Sequence, residues 1–110
     1  MKYDIKQTDI FSKWLLKLKD IKGKVSIIRR IDRMRKGNFG DHKGLGDEVS
    51  ELRFTVGAGY RVYYTVRNGE VVLLLVGGDK STQKVDIEKA KNLAKELQDD
   101  KWFWYIAILR

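Results

Sequence analysis

Six consecutive aliphatic residues, Val71 to Val76, are the feature that most constrains how this chain can fold. A strand that is apolar on both faces lies in the middle of a sheet and is covered on both sides. Asn68-Gly69 precedes this run, and both residues tolerate the positive φ of a tight hairpin. The alternating segment from Tyr60 to Arg67 is therefore predicted to be its antiparallel neighbour. The rest of the chain has to supply a layer for each face of this sheet.

Two helices are predicted on the N-terminal side of the sheet. Tyr3 to Lys6 alternates like a short edge strand, and Thr8 or Asp9 can cap the helix that follows. Gly23 breaks the helical pattern, so we expect a second helix from about Lys24 to Lys36. The residues that these two helices are expected to bury are Ile10, Phe11, Trp14, Leu15, Leu18, Ile27, Ile31 and Met34.

The remaining segments complete an α+β domain. Residues 37–47 contain four glycines and are predicted to form a loop. A first strand over residues 49–56 turns at Gly57-Ala58-Gly59, and Ser81 or Thr82 can cap a third helix after the sheet. The predicted order is β-α-α-β-β-β-α, with helices packed on an antiparallel sheet in one domain over residues 1–98. Residues 99–110 are an aromatic extension, expected either to pack on the domain or to form an interface.

Bulk properties narrow the class of protein. The chain has 110 residues and no cysteine, and 43% of its residues are hydrophobic, as expected for one compact domain without disulfides. Its start has no apolar signal region, and its longest apolar run, Trp102 to Leu109, is far shorter than the ~20 residues that span a bilayer. We therefore expect a cytoplasmic protein. A single histidine and the lack of a phosphate-binding loop predict no metal and no cofactor.

Positive charge is concentrated in the first part of the chain. Residues 1–46 contain 13 Lys/Arg and 5 Asp/Glu, a net charge of +8, whereas residues 47–110 contain 10 of each. A one-sided basic surface favours a polyanionic partner, either nucleic acid or an acidic protein. The structural alternative is a well-solvated face.

Pairing the strands through their turns predicts a cluster of basic residues. A hairpin centred on Ala58 places Thr55 opposite Arg61, which makes Arg53 and Arg61 diagonal neighbours on one face. Asn68-Gly69 places Arg61 opposite Val76, so Lys80 and Tyr63 are expected close by. Tyr63 is therefore a further candidate for contacts with nucleic acid or the ribosome. Guanidinium groups bind phosphate through two hydrogen bonds and stay charged at any relevant pH. The alternative is an ordinary polar sheet face, on which each arginine pairs with Glu48, Glu51 or Asp79.

Other candidate residues lie outside that cluster. His42 has the one side chain that titrates near neutrality, so it is a candidate general base, although a loop histidine is often simply solvated. Basic residues on the second helix and in the following loop are candidates for contacts with a nucleic-acid backbone or the ribosome, or form a solvated surface. This second group consists of Arg29, Arg33, Lys36 and Lys43.

Three motifs together resemble a known family. They are Leu52-Arg53, Gly59-Tyr60-Arg61-Val62-Tyr63-Tyr64, and the segment from Leu75 to Gln83, which reads LVGGDKSTQ. This pattern is similar to that of the RelE/ParE/HigB toxins of type II toxin–antitoxin systems, in particular their addiction-module killer branch. The similarity extends from about Tyr3 to Leu97.

The resemblance implies a microbial-ribonuclease-like α+β fold and a HigB-like toxin. In RelE-like members, basic residues hold mRNA in the ribosomal decoding site, and the ribose 2′-hydroxyl attacks the adjacent phosphate without a metal. It thus implies a ribosome-dependent mRNA interferase, that is, an endoribonuclease that inhibits translation, with Arg61, Arg53 and Lys80 as catalytic residues. The implied partners are the ribosome, mRNA and a cognate antitoxin of the small helix-turn-helix kind, in a hetero-oligomer.

The chain departs from the family pattern where a general base is expected. Val49 and Glu51 occupy positions at which RelE has lysines, and the RelE catalytic tyrosine has no counterpart in Lys84-Val85-Asp86. The candidates for the base are therefore Asp79, Asp86 and His42. These departures keep two alternatives open: a ParE-like inhibitor that binds DNA gyrase without enzymatic activity, and a degenerate toxin that only binds.

Overall fold

A computed structural model describes residues 2–98, which form a five-stranded mixed sheet with helices on both faces. The strand order is β1-β5-β4-β3-β2. The strands are β1 (Asp4–Gln7), β2 (His42–Gly46), β3 (Val49–Arg53), β4 (Arg61–Arg67) and β5 (Val71–Gly78). The helices are α1 (Asp9–Lys17), α2 (Ile21–Arg35) and α3 (Gln83–Glu96), with a 3₁₀ turn over Lys80–Thr82 before α3.

The predicted α+β class is confirmed, and two details of the sheet were wrong. Residues 42–46, predicted as loop, form β2, because a strand needs only backbone hydrogen bonds and its glycines do not prevent them. The sheet is also mixed and not wholly antiparallel, since β1 lies parallel to β5. β1 and β2 lie at opposite edges of the sheet, and the two helices between them form a long connection. Such a connection allows β1 to run parallel to its neighbour β5.

The central position predicted for the apolar run is confirmed. In β5, residues 72–78 are buried, with α1 and α2 on one face and α3 on the other. Phe11, Ile27 and Met34 of the first two helices pack against Leu52, Val62, Tyr64, Val72 and Leu74. Ala90, Ala94 and Leu97 pack against Val49, Tyr63, Leu73 and Leu75 on the opposite face. Ile10, predicted to be buried, is 48% exposed because Phe11 carries the buried side of α1.

The α1–α2 connection differs from the predicted one in where α2 begins. Asp20 caps α2, and its side chain accepts a hydrogen bond from the Gly23 backbone amide. Gly23 therefore lies inside the first turn of the helix and does not break it. It is buried because the Tyr60 ring packs where a larger side chain would project. Of the two caps predicted for α1, Thr8 and Asp9, the helix uses Thr8, whose side chain accepts from the amide of Phe11.

Both hairpins next to β4 are wider than predicted. Arg53 lies directly opposite Arg61, not Tyr63, because Gly57 and Gly59 take positive φ in a broad loop after β3. Asn68 and Gly69 do take positive φ, yet Arg67 pairs with Val71, which leaves three residues in the turn. An irregularity at Tyr63/Tyr64 shifts the register again, so Arg61 lies opposite Gly78 and not Val76.

Two further predictions concern the C-terminal extension and membrane-spanning segments. The extension over residues 99–110 lies outside the described residues, so its packing and the division at residue 98 stay predictions. Among residues 2–98, none of the helices has both the length and the apolar character needed to cross a membrane.

Candidate functional site

A cleft of about 380 Å³ lies where β3 ends and β4 begins, beside the loop that joins the two strands. Basic side chains from two separate segments converge on it, together with the backbone of the loop. The lining residues are Asp41, Arg53, Phe54, Thr55, Gly57, Ala58, Gly59, Arg61 and Lys80. The three basic residues that the sequence singles out as catalytic candidates thus share one cavity.

Arg61 is the most rigidly held of the three. Only 8% of the residue is exposed, and its Nη1 donates to the carbonyl oxygens of Phe54, Gly59 and Tyr60 at 3.0–3.3 Å. Its Nη2 makes no hydrogen bond within residues 2–98. A fixed guanidinium with an unused N–H edge on a cavity is suited to bind an anion, because no reorganisation is needed when the anion arrives.

Arg53 is held from two directions. Its Nη2 donates to Oδ1 of Asp41 at 3.0 Å, and this carboxylate partly neutralises the charge of Arg53, which lies beside Arg61.

Arg30 of α2 fixes the backbone on which Asp41 and Arg53 lie, since it donates to the carbonyl oxygens of these two residues at 3.2 and 3.1 Å. Its guanidinium also lies over the Phe54 ring, 4.5 Å from the centroid. Burial lowers the pKa of Arg30, and the nearby Arg33 adds to that decrease.

Lys80 reaches the cleft from the first residue of the 3₁₀ turn. Its aliphatic stem lies across Gly59, at whose position a Cβ would come within 3.0 Å of the lysine carbons. The residue itself is exposed. Its ammonium group therefore adds a third positive charge to the two guanidinium groups of the sheet.

A buried polar network under the cleft was not predicted from the sequence as a functional feature. Glu51 is 2% exposed, its Oε1 lies 3.8 Å from Nε of Arg61, and it accepts a hydrogen bond from Gln83 of α3 at 3.0 Å. A buried carboxylate requires such partners, because an unpaired charge away from water is costly. The strand pattern already makes Glu51 a possible partner of an arginine, and its contact with Arg61 confirms that alternative. The contact with Gln83 has no signal in the sequence.

Tyr63 was wrongly predicted to contact nucleic acid. Its side chain is 0% exposed and packs in the core under α3, because the helix covers this part of the β4 face. Burial raises the pKa of its hydroxyl well above the usual range, with Glu51 and Asp86 adding to the effect. The group can neither reach RNA nor exchange a proton near neutral pH.

The three candidate bases lie elsewhere. Hydrogen bonds from the Ser81 hydroxyl and amide lower the pKa of Asp79, which caps the 3₁₀ turn. Asp86 is 6% exposed, accepts from the Thr82 hydroxyl and lies against Gly78. His42 pairs with Leu52 and packs on Phe39, which places it on the face of the sheet opposite Arg53. None of the three lines the cleft.

The candidate docking residues do not form one surface. Arg29, Arg33 and Lys36 are exposed on or at the end of α2, which packs on the face away from α3. Lys43 is exposed on β2 and pairs with Glu51, which places it on the same face as Arg53 and Arg61. The α2 residues and the cleft therefore present positive charge in two places.

The architecture is that of the RelE-like toxins. A solved structure of a double arginine-to-alanine mutant of the Escherichia coli toxin RelE, in the free state, matches with a TM-score of 0.64. The match covers 84% of this chain and 98% of that chain at 18% sequence identity, a level that establishes the fold.

Sequence comparisons identify the family. The model of the family described as phage derived protein Gp49-like (DUF891) matches residues 13–99. An uncharacterised protein of Haemophilus influenzae is 53% identical over 97 residues, which cover 88% of this chain and 98% of that protein. The chain belongs to the Gp49-like family, and family and fold together confirm the predicted RelE/ParE-like toxin superfamily. This class of toxin implies an antitoxin as partner.

Proposed function

We propose that the protein is an RNA-cleaving toxin that inhibits translation by cutting mRNA on the ribosome. The observation that supports this most directly is the fixed guanidinium of Arg61, which lies in one cleft with Arg53 and Lys80. Three cations around a cavity of this size suit a phosphodiester whose charge increases in the transition state. The antitoxin that the class implies is proposed to be a small helix-turn-helix protein.

The proposed reaction is a transesterification that needs no cofactor. The 2′-oxygen of one nucleotide bonds to the adjacent phosphorus, the bond from phosphorus to the 5′-oxygen breaks, and a 2′,3′-cyclic phosphate remains. The 2′-hydroxyl loses its proton and the departing 5′-oxygen gains one. Among residues 2–98, Asp41 carries the one carboxylate that lines the cleft, and we propose it as the proton acceptor. Arg61 stabilises the charged phosphate, while Arg53 and Lys80 position the strand.

The proposal is tested by inducing the protein in translating cells and mapping the 5′ ends of mRNA. New ends at fixed positions within codons are expected for the wild type. Lys80→Ala removes one of the cations of the cleft and is expected to reduce the number of these ends at least about tenfold. Because Lys80 is exposed, the change should not disturb the core. Asp41→Asn should lower cleavage at neutral pH without weakening RNA binding, because it removes only a negative charge from the cleft.

The matched control is Lys84→Ala, an exposed lysine one helical turn beyond Lys80 that does not line the cleft. Its cleavage should equal that of the wild type. A supercoiling assay with DNA gyrase is run in parallel. Intact mRNA together with inhibited supercoiling would replace RNA cleavage by the gyrase alternative, and intact mRNA with active gyrase would leave a binding-only protein.

A further inference from the structure

Gln83 is the last residue of the motif LVGGDKSTQ, and the proposed reaction does not involve it. It is the first residue of α3, its side chain is half-buried, and it does not line the cleft. Its Nε2 donates to Oε1 of Glu51 at 3.0 Å, so it connects α3 to β3. Any effect of Gln83 on the cleft therefore passes through Glu51.

Glu51 lies between Gln83 and the arginine of the cleft. The oxygen that accepts from Gln83, Oε1, is also the one that lies 3.8 Å from Nε of Arg61. Both side chains of this ion pair are almost entirely buried, so water and salt screen their attraction only weakly. Gln83, Glu51 and Arg61, which we call the cleft trio, thus connect α3 through β3 to the cleft.

The guanidinium of Arg61 is held at Nη1 and at Nε. Nη1 donates to three carbonyl oxygens of the β3–β4 loop, whereas Nε makes no hydrogen bond within residues 2–98 and faces the charge of Glu51. Contacts at Nη1 alone would let the planar group pivot about that nitrogen. The attraction at Nε removes this freedom, so the position of Nη2, the nitrogen available to a phosphate, depends on where the Glu51 carboxylate lies.

We propose that Gln83 and Glu51 are positioning residues for the reaction in the cleft. Gln83 holds the Glu51 carboxylate, and Glu51 holds the guanidinium of Arg61 in the orientation that the charged phosphate of the transition state requires. This inference rests on the RNA cleavage proposed above. The alternative is a purely structural role, in which the buried carboxylate only offsets the charge of Arg61 and stabilises the fold.

The two roles differ in what they predict for a folded variant. Loss of orientation affects the step in which charge develops on the phosphate, so it lowers kcat. The affinity for RNA should not fall, because removal of the Glu51 charge leaves the positive potential of the cleft as high as before or higher. A purely structural role changes the free energy of unfolding and leaves the kcat of the folded protein unchanged.

The test measures cleavage of a labelled mRNA on purified bacterial ribosomes, at a temperature at which circular dichroism shows each variant to be folded. Gln83→Met keeps the length of the side chain but removes its donor, and it should lower kcat about threefold or more. Glu51→Gln should lower kcat about tenfold or more. Neither variant should raise KM by more than about twofold, because the cations that bind RNA remain.

The exchange variant Glu51→Gln/Gln83→Glu separates stability from positioning. It returns a carboxylate to the first turn of α3, where a negative charge is favourable, but not to the position next to Nε of Arg61. It should therefore recover part of the stability that Glu51→Gln loses, while kcat stays at the low value of that single variant. Recovery of kcat together with stability would show that the trio acts through stability alone.

Matched controls come from a similar trio at the other end of α3, formed by Gln98, Glu48 and Arg67. Nε2 of Gln98 donates to Oε2 of Glu48 at 3.5 Å, and this oxygen lies 4.0 Å from Nη1 of Arg67. None of these three residues lines the cleft. Gln98→Met and Glu48→Gln should therefore leave both kcat and KM at the wild-type values.

The positioning role is overturned if folded Gln83→Met and Glu51→Gln cleave with the kcat of the wild type, or if their loss lies in KM alone. An equal loss of kcat in Gln98→Met and Glu48→Gln would overturn it too. If Glu51→Gln does not fold, Gln83→Met decides the matter, because it removes one hydrogen bond of a half-buried side chain. A wild type that cleaves no RNA would reject the proposed reaction and this inference together, whereas variants that match an active wild type reject the inference alone.

Discussion

Arg61 combines a structural contact and an anion-binding contact in one side chain. Nη1 ties together the carbonyl groups of the β3–β4 loop, whereas Nη2 has no hydrogen bond within residues 2–98. A planar group with five N–H donors in a rigid fork can serve both purposes in two fixed directions, whereas the three donors of a lysine ammonium group rotate about a single nitrogen. The same contacts that bury the arginine therefore leave Nη2 available for an anion, in a residue that lines the cleft.

Burial of Arg61 makes its counter-charge important, which leads to a prediction for Glu51. Glu51→Gln keeps the shape and the contact with Gln83 but leaves a buried guanidinium without its carboxylate. We expect the free energy of unfolding to fall by about 2 kcal/mol. Urea denaturation measures this change, with Glu70→Gln, an exposed carboxylate in the β4–β5 turn, as the control. Unchanged stability of Glu51→Gln would show that Arg61 does not depend on this pair.

The shared cleft of Arg53, Arg61 and Lys80 could be anticipated from the sequence even though both strand registers were wrong. The β3–β4 pairing is displaced by two residues, which keeps each side chain on its predicted face. In the β4–β5 pairing, the longer turn shifts the register by one residue and the irregularity at Tyr63/Tyr64 by another. The two shifts restore the predicted face. The burial of Tyr63 could not be anticipated, since it depends on where α3 crosses the sheet.

At the scale of elements, hydrogen bonds to the Asp20 side chain connect the start of α2 to the β3–β4 loop. The Tyr60 hydroxyl donates to Oδ2 of Asp20 at 2.8 Å, while Oδ1 of the same carboxylate accepts from the Gly23 amide. The amide and hydroxyl hydrogen bonds lower the pKa of Asp20, and the bond to Asp20 raises the pKa of Tyr60. The cap of α2 thus also fixes the residue next to Arg61.

A glycine-to-alanine change in α2 tests this arrangement because its effect should be opposite to the usual one. Alanine is normally favoured over glycine inside a helix by about 1 kcal/mol. At Gly23, however, a Cβ would lie 2.3 Å from Cε2 of Tyr60, so the ring has to move. We expect Gly23→Ala to destabilise the protein by about 1–3 kcal/mol in thermal or urea unfolding. Ser26→Ala, one turn later, is the control, and a more stable Gly23→Ala variant would contradict the packing described.

Strand β2 shows why some elements cannot be predicted from local sequence. Its hairpin with β3 turns at Asp47 and Glu48, which both have positive φ. An Asp-Glu pair is not a strong hairpin signal in a sequence, unlike Asn-Gly or Asp-Gly. The glycines at residues 44 and 46 favour a loop by propensity, yet backbone pairing with β3 decides the outcome. By contrast, β5 and the buried sides of α1 and α2 follow from apolar periodicity.

At the scale of the whole molecule, the β3–β4 loop separates two basic cavities. One is the cleft, which residues 55 and 57–59 of the loop line, and the other is a cavity of about 490 Å³ along α2, which residue 56 lines together with Lys22, Arg29, Arg30 and Arg33. Arg30 donates hydrogen bonds from the helix to the backbone at the edge of the cleft, so it belongs to both places. The cations along α2 therefore add to the positive potential that RNA, the ligand proposed for the cleft, meets on its approach.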